Sequence, residues 1–168
     1  MLVVHLSDVH CDGYNFKEEM LVKAIDEINA LGPDIVIATG DLTNEGLSAE
    51  FECVEKHLGM LKTRQMRVCS GNHDSRSTGY LLFPKYFGET TSVTKFQDTA
   101  IITVNSSRPD REDGELGFNQ GLWLRDKLSK YNEHFKIVGL HHHVMSVPET
   151  GMERNTISDA GDFLHMVI

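Results

Sequence analysis

Four short apolar runs in this chain each end in a cluster of Asp, Asn or His, and that regularity limits the folds open to it. The runs are residues 2–6, 34–39, 66–69 and 135–140. The clusters behind them are Asp8-Val9-His10, Gly40-Asp41, Gly71-Asn72-His73-Asp74 and His141-His142-His143. Helical spacing fills much of the space between. Met20, Leu21, Ala24, Ile25, Ile28 and Leu31 form one stripe, and Phe51, Val54, Leu58 and Leu61 another. Alternating strands and helices are the pattern of an α/β layered domain. In open α/β sheets, groups beyond the carboxyl ends of the strands gather along one edge. The four clusters can therefore converge on one place.

Local signals refine this picture. The run at 34–39 is apolar throughout, which predicts a strand covered on both faces. Asn15 followed by Glu18 predicts a capping box at the start of the first helix, and Gly32-Pro33 predicts its end. Ser48 is the expected cap of the second helix. Residues 93–96 and 100–105 read as a hairpin turning at Gln97-Asp98 and opening a second sheet. Asn119 precedes a helical stretch with Leu122, Trp123, Leu124 and Leu128. With no repeat, low-complexity segment or linker, one domain over residues 1–168 is expected.

Composition narrows the function classes. Sixteen Lys and Arg against twenty-five Asp and Glu give a net charge of −9, and no basic run exists. Such a surface disfavours nucleic acid. An anionic substrate would need a local positive centre, which bound divalent metals supply. No apolar run approaches the ~20 residues of a membrane span. Three cysteines, Cys11, Cys53 and Cys69, without a C-x-x-C pair argue against a disulfide framework. A reducing cytoplasm is the expected setting. Cys11 reads as a small half-buried residue beside a candidate ligand.

Each cluster carries suitable chemistry. In an extended segment residues i and i+2 point the same way, so Asp8 and His10 can grip one cation. Gly40 permits the tight turn that projects Asp41 over the sheet edge. Asn72 offers a neutral carbonyl oxygen, and the imidazole of His73 suits proton transfer near neutral pH. The run His141-His142-His143 offers imidazole to borderline metals. Arg76 stands where it could pair with a substrate phosphate or simply be solvated.

Taken together, D-x-H, then GD and GNHD at intervals of about thirty residues, then a strand-terminal His, resemble the calcineurin-like metallophosphoesterase superfamily across essentially the whole chain. The resemblance implies a four-layer α-β-β-α sandwich of two mixed sheets, and two divalent metal ions (Mn, Fe, Zn or similar). By motif, Asp8 and His10 would bind the first metal and Asp41 would bridge both. Asn72 and one histidine of 141–143 would bind the second. His142 is chosen because His143-Val144 best fits the rest of the family's pattern there, with His141 a close competitor. His73 matches the catalytic, non-ligand histidine. The implied reaction is hydrolysis of a small phosphodiester by hydroxide generated at the metal pair.

Departures from the pattern carry information. Asn44 and Glu45 stand where the protein phosphatases of the superfamily have Asp and Arg, which argues against that branch. The wording GDLTxxG and GNHD is nearer to class III cyclic-nucleotide phosphodiesterases. A phosphomonoesterase or nuclease on the same site, or a non-catalytic interaction module, is the alternative. The family's later G-H-x-H motif does not occur in this sequence. The expectation is a C-terminally incomplete domain with weakened metal affinity and an exposed sheet edge, across which two copies could pair as a homodimer.

Overall fold

β2 (Ile35–Thr39) is apolar because both of its faces are covered, and the rest of the architecture is arranged around it. The structure, a computed structural model, describes residues 1–148 and 156–168. β1 (Val3–Leu6) and β3 (Gln65–Cys69) flank β2, and all three run parallel in the order β1-β2-β3. Parallel neighbours need a crossover. Helix α1 (Glu18–Leu31) supplies the first and α2 (Ser48–Leu58) the second. After α3 (Gly79–Phe87) comes a second sheet. β4 (Ser92–Phe96) and β5 (Thr99–Thr103) form the expected hairpin, turning at Gln97 with a positive φ of 54°. β6 (Phe135–Gly139) then pairs parallel with β5. Of the two sheets, the second is mixed, whereas the described strands of the first are all parallel.

Three apolar clusters define the layers. Ile35 and Ile37 of β2 meet Ile101 of β5 between the sheets, with Val3, Phe96 and Ile137 packed around them. On the outer side of the first sheet, Ala38 packs with Phe51, Val54 and Leu58 of α2 and Phe83 of α3. On the outer side of the second, Ile102 and Val104 pack with Leu124 of α4 (Phe118–Lys130) and Phe163 of α5 (Ala160–Val167). Successive residues of β5 thus face opposite layers, as strand alternation requires. The order of layers is helix, sheet, sheet, helix. No helix among the described residues is long and apolar enough to cross a membrane.

The helix starts differ from expectation: α1 lacks a side-chain cap, and at α2 and α4 a carboxylate accepts backbone N–H groups just ahead of the helix. α1 begins after Lys17 with no side-chain cap, so Asn15 does not fill that role, although Gly32 ends the helix in the left-handed region at φ 60°. Ser48 lies inside α2. The Glu50 carboxylate accepts the backbone N–H groups of Glu45 and Leu47 instead. Asn119 likewise lies inside α4, where Asp159 accepts the N–H groups of Leu116 and Gly117 just ahead of the helix. These bonds satisfy backbone donors at and just ahead of the two helix starts.

The inter-sheet cluster gives a stability prediction. Ile101 is fully buried, so Ile101→Ala is expected to cost about 2–4 kcal/mol in urea unfolding. Leu122→Ala, on an exposed position of α4, is expected to cost less than about 0.5 kcal/mol. Equal losses would show that the two sheets do not share this core.

Candidate metal centre

The loop after β1 is laid along the loop after β2 by a continued ladder of backbone bonds. Asp8 N–H donates to Gly40 O at 3.1 Å, His10 N–H to Asp41 O at 2.9 Å and Cys11 N–H to Leu42 O at 2.7 Å. Asp8, His10 and Asp41 take positive φ values of 57°, 46° and 50°. Non-glycine residues rarely adopt this region, and such outliers gather at functional sites. Gly71 is required here for space. A Cβ on it would lie 2.2 Å from both the backbone N and Oδ1 of Asp41.

Asp74 ties the β2 and β3 loops together. Its Oδ1 accepts from Leu42 N–H at 2.9 Å, Thr43 N–H at 2.8 Å and the Thr43 hydroxyl at 2.9 Å. Its Oδ2 accepts from Gly71 N–H at 2.9 Å. Complete burial pushes its pKa up to about 6, while the backbone donors pull the other way. In the sequence Asp74 is only the last letter of GNHD, and nothing there marks it as a staple between loops.

Asp41 is the hub of the site. Its Oδ2 lies 3.4 Å from His141 Nε2, 3.8 Å from His10 Nε2 and 4.0 Å from His73 Nε2. Its Oδ1 accepts the His73 backbone N–H at 2.9 Å. Two sets of donor atoms, each within 4.8 Å of one another, share this carboxylate: Asp8, Asp41 and His141, and His10, Asp41 and His73. The structure therefore brings Asp8, His10, Asp41 and His73 together, and His73 stands nearly as close to Asp41 as His10 does.

The neighbouring hydrogen bonds fix which atom each side chain presents. His141 Nδ1 donates to Thr39 O at 2.8 Å, which leaves Nε2 facing Asp41 and, at 3.0 Å, Asn72 Oδ1. Asn72 Nδ2 donates to Glu112 Oε2 at 2.8 Å, and this orients its Oδ1 into the site. Burial works against a proton on His141, but the Asp41 carboxylate outweighs it and holds the imidazole pKa up at about 9. The same pairing, with the His73 N–H, keeps the Asp41 carboxyl below its ordinary range despite burial. Oxygen and nitrogen donors thus surround a point that demands positive charge. Donors bound at about 2.0–2.2 Å to one cation stand roughly 3–3.5 Å apart. The His141–Asp41 and Asn72–His141 spacings match this, and the residues fit divalent cations of borderline hardness.

The geometry departs from one expectation. His142 does not meet Asp41. Its Nδ1 lies 2.8 Å from Ser106 Oγ, its Nε2 lies 3.1 Å from Glu112 O, and its ring leaves no room for a side chain on Gly114. Burial, reinforced by the charge of His141, pushes its pKa down to about 4. The chain beyond β6 turns His141 toward β2 and His142 away. Arg76 is partly exposed and already has carboxylate partners. It pairs with Glu45 at 3.0 Å and Glu112 at 2.7 Å. Beside the hub lies a cleft of about 500 Å³ lined by Asp8, His10, Tyr14, Phe16, Asn44 and His73.

Comparison with known proteins bears on this geometry. Residues 1–163 match the family described as calcineurin-like phosphoesterase. A probable cyclic nucleotide phosphodiesterase of Rhodococcus erythropolis is 32% identical over 83% of this chain and 51% of its own length. A probable glycerophosphodiester phosphodiesterase of Arcobacter nitrofigilis is 30% identical over 84% of this chain and 57% of its own. The chain thus spans about half the length of these curated relatives. Among solved structures, a dimetal phosphatase from Danio rerio superposes with a TM-score of 0.72 at 12% identity, over 99% of this chain and 77% of its own, which is a likeness of fold.

The staple is directly testable. Asp74→Asn turns an acceptor toward one loop into an N–H₂ facing N–H donors. It is expected to cost about 2–3 kcal/mol in urea unfolding of the metal-free chain. A loss below about 0.5 kcal/mol would show that the two loops hold their register without it.

Proposed function

The chain belongs to the calcineurin-like phosphoesterase family, and on that premise we propose that it hydrolyses a small phosphodiester, a cyclic nucleotide or similar, at a two-metal centre built on Asp41. The observation that carries this reading is the convergence of three imidazoles and an amide oxygen around one buried carboxylate. Asp8 and His10 would hold one metal, Asn72 and His141 the other, with Asp41 between them. The names of the two bacterial relatives, both phosphodiesterases, support a diester over a monoester.

When bound there, two divalent cations neutralise phosphate charge and lower the pKa of an attacking water. The chain's own residues do the rest. Asp41 keeps its orientation through the His73 backbone N–H, and Asn72 keeps its orientation through Glu112. His73 Nδ1 donates to Asn44 O at 2.7 Å, so Nε2 is the ring atom left on the cleft side. It is placed to carry a proton to a departing oxygen, a role worth about 10²–10⁴ in rate. The positive demand of the site reconciles an anionic substrate with a chain whose net charge is −9.

Turnover of bis-p-nitrophenyl phosphate with added Mn²⁺ tests the proposal. The diester is expected to be hydrolysed faster than p-nitrophenyl phosphate. Asp41→Asn is expected to abolish turnover and two-metal binding together. His73→Ala is expected to keep the metals while lowering kcat by about 10²–10³. A preference for the monoester would reject the diesterase reading, and full metal occupancy without turnover would reject the hydrolase.

A further inference from the structure

Among the described residues, one cluster of sulfur and imidazole side chains lies outside the donors around Asp41. Cys11, in the loop that carries His10, is wholly buried, while Cys53 on α2 is half-buried. Their sulfur atoms are 2.7 Å apart across 42 positions of sequence. Cys53 Sγ lies 3.7 Å from His57 Nδ1. A depression of about 570 Å³ lined by Asp12, Glu18, Glu52, Cys53, Lys56 and His57 gives solvent access to Cys53. Cys69, buried at the end of β3, is the remaining thiol of the chain.

Two uses of such a cluster compete, and the geometry separates them. A cation would take both sulfurs and His57 as ligands. Sulfurs bound to one zinc at about 2.3 Å stand roughly 3.7 Å apart in a tetrahedral site, well beyond the observed contact. The His57 ring is also engaged at both nitrogens, Nδ1 with Cys53 O at 2.7 Å and Nε2 with Glu18 Oε1 at 3.0 Å. A disulfide needs its sulfurs at about 2.05 Å, a closure of less than about 1 Å. Oxidation therefore requires less rearrangement than metal binding.

We propose that Cys11 and Cys53 form a reversible disulfide by exchange with a low-molecular-weight disulfide such as oxidised glutathione, fastening the His10 loop to α2. The half-buried Cys53 thiol attacks first, making a mixed disulfide and releasing one molecule of free thiol. Cys11 then attacks the Cys53 sulfur, closing the bond and releasing the second. The two cysteine protons leave on the two released thiols, and two electrons pass from the protein to the reagent. The cross-link closes a long loop of the unfolded chain and so stabilises the fold. It also holds the segment that positions His10 against a helix of the core.

The test is non-reducing peptide mapping of the chain in chelator, equilibrated across ratios of reduced to oxidised glutathione, quenched with acid and alkylated. A Cys11–Cys53 linked species is expected, with Cys69 alkylated, a melting temperature raised by about 5–10 °C and full reversal by dithiothreitol. Alkylation of both Cys11 and Cys53 at the most oxidising ratio would overturn the proposal. So would a product that stops at glutathione bound to Cys53. A parallel sample with zinc in place of chelator distinguishes the other use: one zinc retained by the chain, shielding both thiols and lost in Cys53→Ser, would replace the disulfide with a metal site.

Discussion

One buried carboxylate holds the edge of the first sheet in working order. Asp74 gathers three backbone N–H groups and a hydroxyl from the β2 and β3 loops. Buried donors without partners are costly, so the two loops have one common arrangement that satisfies all of them. That arrangement sets Asp41 against Gly71 with no space to spare and places the His73 N–H on the Asp41 carboxylate. The β1 loop is then drawn in by its own backbone bonds to the β2 loop. Left-handed backbone at Asp8, His10 and Asp41 is tolerated because the surrounding bonds over-determine it.

The charge pattern follows from this frame. Asp41 is buried, and a buried carboxylate needs a positive partner. In the metal-free chain that partner is a proton held on His141, which is why the imidazole titrates at about 9. Cations would take over the same donors and satisfy Asp41 more fully. His142, one residue on, is pushed the other way by burial and by the charge of His141, which outweigh the more distant carboxylates. The contrast between adjacent histidines separates a group built to face charge from one built to pack.

Much of the fold was legible in the sequence because it rests on local patterns. The four strands of the apolar runs end where the runs end, to within a residue, the hairpin turns at Gln97-Asp98, and β5 stops two residues before the expected end. What was not legible depends largely on residues far apart in the chain. The start of α4 is organised by Asp159, which lies 42 and 43 positions from the donors it satisfies. Asn72 is oriented by Glu112 across 40 positions. The choice between His141 and His142 turns on the backbone path beyond β6, where strand alternation no longer applies. Arg76 looked available because the carboxylates of Glu45 and Glu112 that engage it come from other loops.

Anomalous scattering from Mn²⁺-soaked crystals of this chain tests the central claim most directly. The account predicts two peaks about 3.5–4 Å apart, one on either side of Asp41, with His141 Nε2 as a ligand and the His142 ring still on Ser106. A single peak away from Asp41, or a metal held by His142, would contradict it.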